Sequence, residues 1–211
     1  MELYSLYLEL KNKYKKLDKY WSLWCKNKKS WKEKEKIAIG AILVQRTSWK
    51  NVEKALYNLE KQRSLSIKAI YRIGKKDSKI LENFIKPSGF YKQKAKRLFE
   101  FCKFIVEEHK TLKNFLKQGT NKSREQLLSL FGIGPETADS ILLYAGQKPV
   151  FVIDEYTRRW IKNHYLADNL SYKSLKKLFE KNLPQNYKIY QKFHAMIILE
   201  GQKQHRKQKG H

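Results

Sequence analysis

Residues 130–145 read LFGIGPETADSILLYA, in which Gly132 and Gly134 flank a single apolar residue between two stretches of helical periodicity. Few folds accept such a turn. Glycines there can take positive φ and bring backbone N–H groups against an anion with no Cβ in the way. The spacing predicts a helix from Pro135 or Glu136. Its N-terminal dipole adds to the anion site, and Ala138, Ile141, Leu142 and Ala145 follow the i, i+3, i+4, i+7 rule for one buried face. Ser123 with Gln126 fits a capping box and predicts the start of the preceding helix. Two short helices joined by a glycine turn make a helix–hairpin–helix, a unit that holds a nucleic-acid backbone without reading its sequence.

The rest of the chain reads as nearly all helix. Leu3, Leu6, Tyr7 and Leu10 share a face, Ile37 to Leu43 form a buried run, and Val52, Leu56 and Leu59 keep helical spacing. VFVID at 150–154 is short and ends at an aspartate, so it is expected to be a loop leading into the helix EYTRRW. Lys and Arg number 46 against 20 Asp and Glu, a formal charge of +26. Such a charge draws a chain of this size to a polyanion and makes binding salt-dependent. Lysine enrichment from genome composition or high-temperature life would give the same count, so charge alone leaves both readings open. No apolar run reaches the ~20 residues that span a bilayer, and the N-terminus lacks a signal-peptide order, so a cytoplasmic protein is expected, nucleoid-associated where its polyanion is DNA. Cys25 and Cys102 are the only cysteines, which fits free thiols in a reducing compartment.

LFGIGPETADSILLYA with VFVIDEYTRRW at 150–160 resembles the helix–hairpin–helix and Gly-Pro-Asp loop of the endonuclease III superfamily of base-excision DNA glycosylases. AILVQRTSWKNVEKAL at 41–56, IKPSGFYKQKAKRL at 85–98 and FHAMIILEGQKQH at 193–205 extend the similarity, which runs from about residue 37 to 205. The combination is similar above all to endonuclease III-related proteins and 3-methyladenine DNA glycosylase III. The resemblance implies an all-α, two-lobed helical fold with the active site in the interdomain cleft. A discontinuous domain of residues 1–33 and 150–211 would carry the catalytic aspartate, and residues 34–149 would form the helical domain with the hairpin.

The resemblance also implies roles. Asp154 matches the aspartate that stabilises the sugar cation and handles water; it could equally cap the helix that follows, and the two roles are compatible. Glu136 stands where bifunctional members carry the lysine that attacks C1′ as a Schiff-base nucleophile, so AP-lyase activity is not expected. Glu136 either helps place a water or simply suits a helix N-terminus. Gly132, Ile133, Gly134 and Thr137 are expected to grip DNA, with Gln45 filling the gap in the duplex. Trp49, with Trp21 or Trp24, is expected to wall the pocket for an extruded base, although core packing is an equal reading for Trp21 and Trp24. No metal and no iron–sulfur cluster are expected: His205 falls near the first cluster cysteine of the family, and Arg206, Lys207 and Lys209 would either contact phosphate or form a solvated tail. His194, in the apolar run KFHAMII, reads as a core histidine and is left outside the catalytic set. The expected activity is that of a monomeric, monofunctional glycosylase acting on a damaged base in double-stranded DNA, with alkylated purines as substrate. Alternatives are uracil, mismatched or oxidised bases with or without lyase activity, and a non-catalytic DNA-binding protein.

Overall fold

A computed structural model describes the backbone of residues 2–17 and 19–209 and the side chains of 3–17 and 21–203. The basic tail residues Arg206, Lys207 and Lys209, and His205, therefore have side chains outside the described residues. In chain order the helices are α1 (Glu2–Lys13), α2 (Lys19–Trp24), α3 (Trp31–Leu43), α4 (Trp49–Lys61), α5 (Ile67–Lys76), α6 (Ser78–Ile85), α7 (Tyr91–His109), α8 (Leu112–Lys117), α9 (Thr120–Leu128), α10 (Pro135–Ser140), α11 (Glu155–Asn163), α12 (Tyr172–Asn182) and α13 (Tyr187–Lys209). Among the described residues there is no strand, and no helix is long and apolar enough to cross a membrane.

The chain divides into two compact units, one made of Met1–Lys28 with Gln147–His211 and the other of Lys29–Gly146. The first division falls ahead of the expected residue 33 because Ser30 and Glu33 close a reciprocal capping box on α3, so a cut at 33 would sever its first turn. The second falls at Gly146 rather than 149, where the helical hydrogen bonding ends and Gln147 turns to φ 53°.

In the Lys29–Gly146 unit, α3 is central because Ile37 to Leu43 are all buried, the pattern of a helix with apolar residues on every side. It packs on α7 and on the turn that follows α10, while α5 and α6 cover another side of α7. That turn, Ile141–Ala145, is π-helical, with the Gly146 N–H reaching back to the Ile141 carbonyl. The preceding helix starts earlier than the Ser123/Gln126 pattern predicts. Gly119 is its N-cap, Ser123 is buried inside it with its hydroxyl on the Gly119 carbonyl, and Gln126 accepts from Gln118. A serine one turn inside a helix back-bonds to the carbonyl four residues earlier, and sequence alone does not separate that from a cap.

In the other unit, α13 lies against α11 and α1, and α1 also meets α12. Its core is aromatic: Phe151 stacks on Phe179 at 4.0 Å, and Phe193 meets Trp160 edge-on at 5.5 Å. Val150 to Ile153 are buried without regular secondary structure, so the loop expected there also fills core as it delivers Asp154 to the start of α11.

Candidate functional site

The hairpin joins α9 to α10, and an ion pair locks its two arms together. Arg124 of α9 donates through Nε and Nη2 to the two oxygens of the fully buried Asp139 of α10, at 2.7 and 3.2 Å. A bidentate, desolvated pair of this kind fixes angle as well as distance. At the tip Gly132 has φ 73°, a conformation that favours glycine. Ile133 is buried and anchors the turn, whereas Gly134 is exposed, with open space where a Cβ would stand. Pro135 occupies the first position of α10 and Glu136 its exposed first turn.

Behind the tip, Gln45 is engaged at all points of its amide. Its Nε2 donates to the Gly132 carbonyl (3.0 Å) and to Thr137 Oγ1 (2.9 Å), and its Oε1 accepts from Arg97 Nη1 at 2.6 Å. The Arg97 side chain lies across the bare face of Gly132, 2.3 Å from where a Cβ would be. Gln45 is thus a brace for the hairpin here, and Thr137 is buried as its anchor; of the four hairpin residues, Gly134 is the one presented openly to solvent. Arg97 was not visible from the sequence as part of this group, although the glycine it covers was.

Lys94, one turn before Arg97 on α7, is 1% exposed. Its Nζ donates to the Leu43 carbonyl at the end of α3 (2.8 Å) and to the Ser88 carbonyl (2.6 Å). It therefore ties the turn after α3 to the turn before α7. Burial, with Arg97 nearby adding to it, brings its ammonium down to about 8. The two turns carry Arg46 and Phe90, both exposed and both held at positive φ (53° and 46°). Phe131, exposed at the hairpin, has the Lys96 ammonium over its ring at 4.6 Å.

In the other unit, Asp154 is the N-cap of α11. Its Oδ1 accepts from the Thr157 N–H (2.7 Å) and Thr157 hydroxyl (2.9 Å). The side chain is 13% exposed, and its second oxygen, Oδ2, stands 3.5 Å from His194 Nε2. Burial pushes the carboxyl up, but His194 and the two Thr157 donors outweigh it and hold the group below the usual aspartate range. Trp21 is half-buried and meets the same His194 edge-on at 6.4 Å, so it sits on the Asp154 side of its unit. Trp24 is buried against Trp21. Trp49 belongs to the hairpin unit, half-buried at the first position of α4. His194 is a core histidine as expected, yet the residue its imidazole faces is the candidate catalytic carboxylate.

Cys25 and Cys102 are free thiols in different units, so the donor set does not fit a four-thiolate cluster. Among the described residues no group of three or more His, Cys, Asp or Glu is placed to hold a metal ion.

A protein of Methanocaldococcus jannaschii named as a DNA repair glycosylase is 43% identical over 165 residues, 77% of this chain and 74% of that one. A solved 3-methyladenine DNA glycosylase of H. pylori, bound to 1,N6-ethenoadenine, superposes with a TM-score of 0.77 at 28% identity, covering 95% of this chain and 97% of its own. An endonuclease III–DNA complex shares the fold at a TM-score of 0.71 and 18% identity, covering 94% and 84%. Residues 39–185, holding the braced hairpin and Asp154, match the HhH-GPD superfamily of base excision DNA repair proteins, and the chain belongs to that family.

Proposed function

We propose that the protein is a monofunctional DNA glycosylase that hydrolyses the N-glycosidic bond of an alkylated purine extruded from duplex DNA. The observation that carries this reading is the state of Asp154. One oxygen is committed to Thr157, the other is not needed for capping, and the group is held in its ionised form. As the bond to the base lengthens, C1′ of the sugar gains positive charge, which a fixed carboxylate stabilises. The departing base takes the bonding electron pair, water adds to C1′, and the carboxylate accepts the proton that water releases.

Glu136 supports the monofunctional part, because a carboxylate cannot form the imine on which a lyase depends. Alkylation at N3 or N7 places positive charge on the purine and makes it a better leaving group, so an aspartate with aromatic walls suffices. Trp49 and Trp21 are our candidates for those walls. The similarity to the H. pylori 3-methyladenine glycosylase favours the same substrate class. Backbone groups around Gly132 and Gly134, with the surrounding lysines, would hold the phosphates, and no metal or iron–sulfur cluster takes part.

The test is a panel of duplexes carrying 3-methyladenine, 1,N6-ethenoadenine, uracil or 8-oxoguanine, incubated with and without borohydride and then treated with alkali. The expected result is abasic sites from alkylated purines, strand breaks only after alkali, and no borohydride-trapped complex. Release of uracil or 8-oxoguanine in preference would assign another substrate, trapping would assign a lyase, and tight binding without release would assign a DNA-binding protein.

A further inference from the structure

The proposed reaction asks one oxygen of Asp154 to face a developing cation while the other caps a helix, and a carboxylate held at one oxygen can still swing about its Cβ–Cγ bond. We infer that His194 is the positioning residue that prevents this, turning and holding Asp154 Oδ2 as an ionised oxygen for the reaction. The inference rests on the reading of Asp154 given above.

Its geometry comes from a different element. His194 is carried by α13, a helix of 23 residues, and is buried. Its ring is framed edge-on by Trp21 at 6.4 Å and by Phe151 at 6.2 Å, both at 90°, so its direction is set by packing on two sides. That direction brings Nε2 to 3.5 Å from Oδ2, while Thr157 engages Oδ1 from α11. The carboxylate is thereby hydrogen-bonded at one oxygen from α11 and faced at the other by an imidazole from α13. A largely buried acid would otherwise be driven towards its neutral form, in which it stabilises no cation. His194 is the titratable group that faces the carboxylate. Thr157 is neutral, and Glu155 beside it is exposed and paired with Arg159 at 3.0 Å. A histidine whose purpose was packing alone would place its ring with the same neighbours but would leave the ionisation of Asp154 unaffected.

The experiment is the pH–rate profile of single-turnover 3-methyladenine release from methylated duplex between about pH 4 and 8, a range that reaches the ordinary aspartate value, for the wild type, His194→Gln and His194→Phe. Melting temperature and affinity for an abasic-analogue duplex serve as controls. Both variants should bind duplex within about threefold of wild type, since the hairpin unit is untouched. Loss of the partner should move the acid limb of the profile up by about one pH unit in His194→Phe, and by less in His194→Gln, which keeps a polar N–H at the site. Near pH 4, on the flank of the limb, the Phe variant should be slower by about threefold. An acid limb at the wild-type position in either folded variant overturns the inference; if His194→Phe fails to fold, His194→Gln decides alone. Asp154→Asn in the same series separates the two levels of the argument. Should that variant release base as fast as wild type, the catalytic reading of Asp154 falls; should it be inactive while the His194 variants keep the wild-type limb, only the role of His194 falls.

Discussion

At Asp154 two roles share one side chain, and substitution can separate them. Asparagine caps a helix about as well as aspartate but carries no charge. Asp154→Asn should therefore keep α11 intact and bind duplex, yet lose about two orders of magnitude in single-turnover base release. Its stability should also differ from wild type in a pH-dependent way. Because the folded protein holds the carboxyl below its ordinary value of about 3.9, the ionised group contributes stability that is fully present above that pH and lost as acid titrates the native state. Thermal melts at successive pH values should show the wild-type advantage over Asp154→Asn shrinking in acid; a constant gap would remove the ionised carboxylate from the account. The cap was readable in the sequence because a cap and its partner lie three residues apart. The engagement of Gln45 was not. Its partners Gly132, Thr137 and Arg97 are 87, 92 and 52 residues away, and no local pattern announces contacts at such separations. His194 is a similar case, since its run is apolar enough to read as core and the aspartate it faces lies on another helix.

The two hairpin glycines differ in what they demand. A Cβ at Gly132 would meet Arg97 and need an unfavourable φ, while a Cβ at Gly134 would meet nothing. Gly132→Ala should cost about 1–3 kcal/mol of unfolding free energy and loosen Gln45. Gly134→Ala should melt like wild type but bind duplex more weakly, if backbone at that exposed point approaches a phosphate. Equal melting of both variants, or unchanged duplex affinity in Gly134→Ala, would contradict this division. The clip made by Lys94 gives a second test. Its charge is disfavoured in the fold, so that penalty is present below about pH 8 and relieved as pH rises towards the ordinary lysine value. Measured against Lys94→Met by denaturant unfolding, wild-type stability should rise between about pH 8 and 10, and a fall would show that the charged form is the favoured one. The helix of the hairpin starting at Pro135 and its buried face were legible from periodicity. The π turn at Ile141–Ala145 was not, because a run buried on all sides fits either winding.

Over the whole chain a formal charge of +26 surrounds these sites. If about four phosphates are neutralised in the complex, the logarithm of duplex affinity should fall against the logarithm of salt with a slope near about −3.6, as fluorescence anisotropy would record. A flat dependence would detach the charge from DNA binding. Helical class was readable from one end of the chain to the other, while the places where the two units part depend on caps and turns that only packing selects. The order of the chain through those units bears on how the protein is made. Residues 29–146 emerge from the ribosome as one uninterrupted body, whereas α1 must wait for helices near the other terminus: Tyr14 finds its carboxylate at Glu200, 186 residues later. During synthesis the apolar face of Leu3, Tyr7 and Leu10 is thus an early product with a late partner, and the continuous unit has time to form before that face is covered. In this chain a helix translated ahead of the continuous unit is sheltered only after that unit is complete.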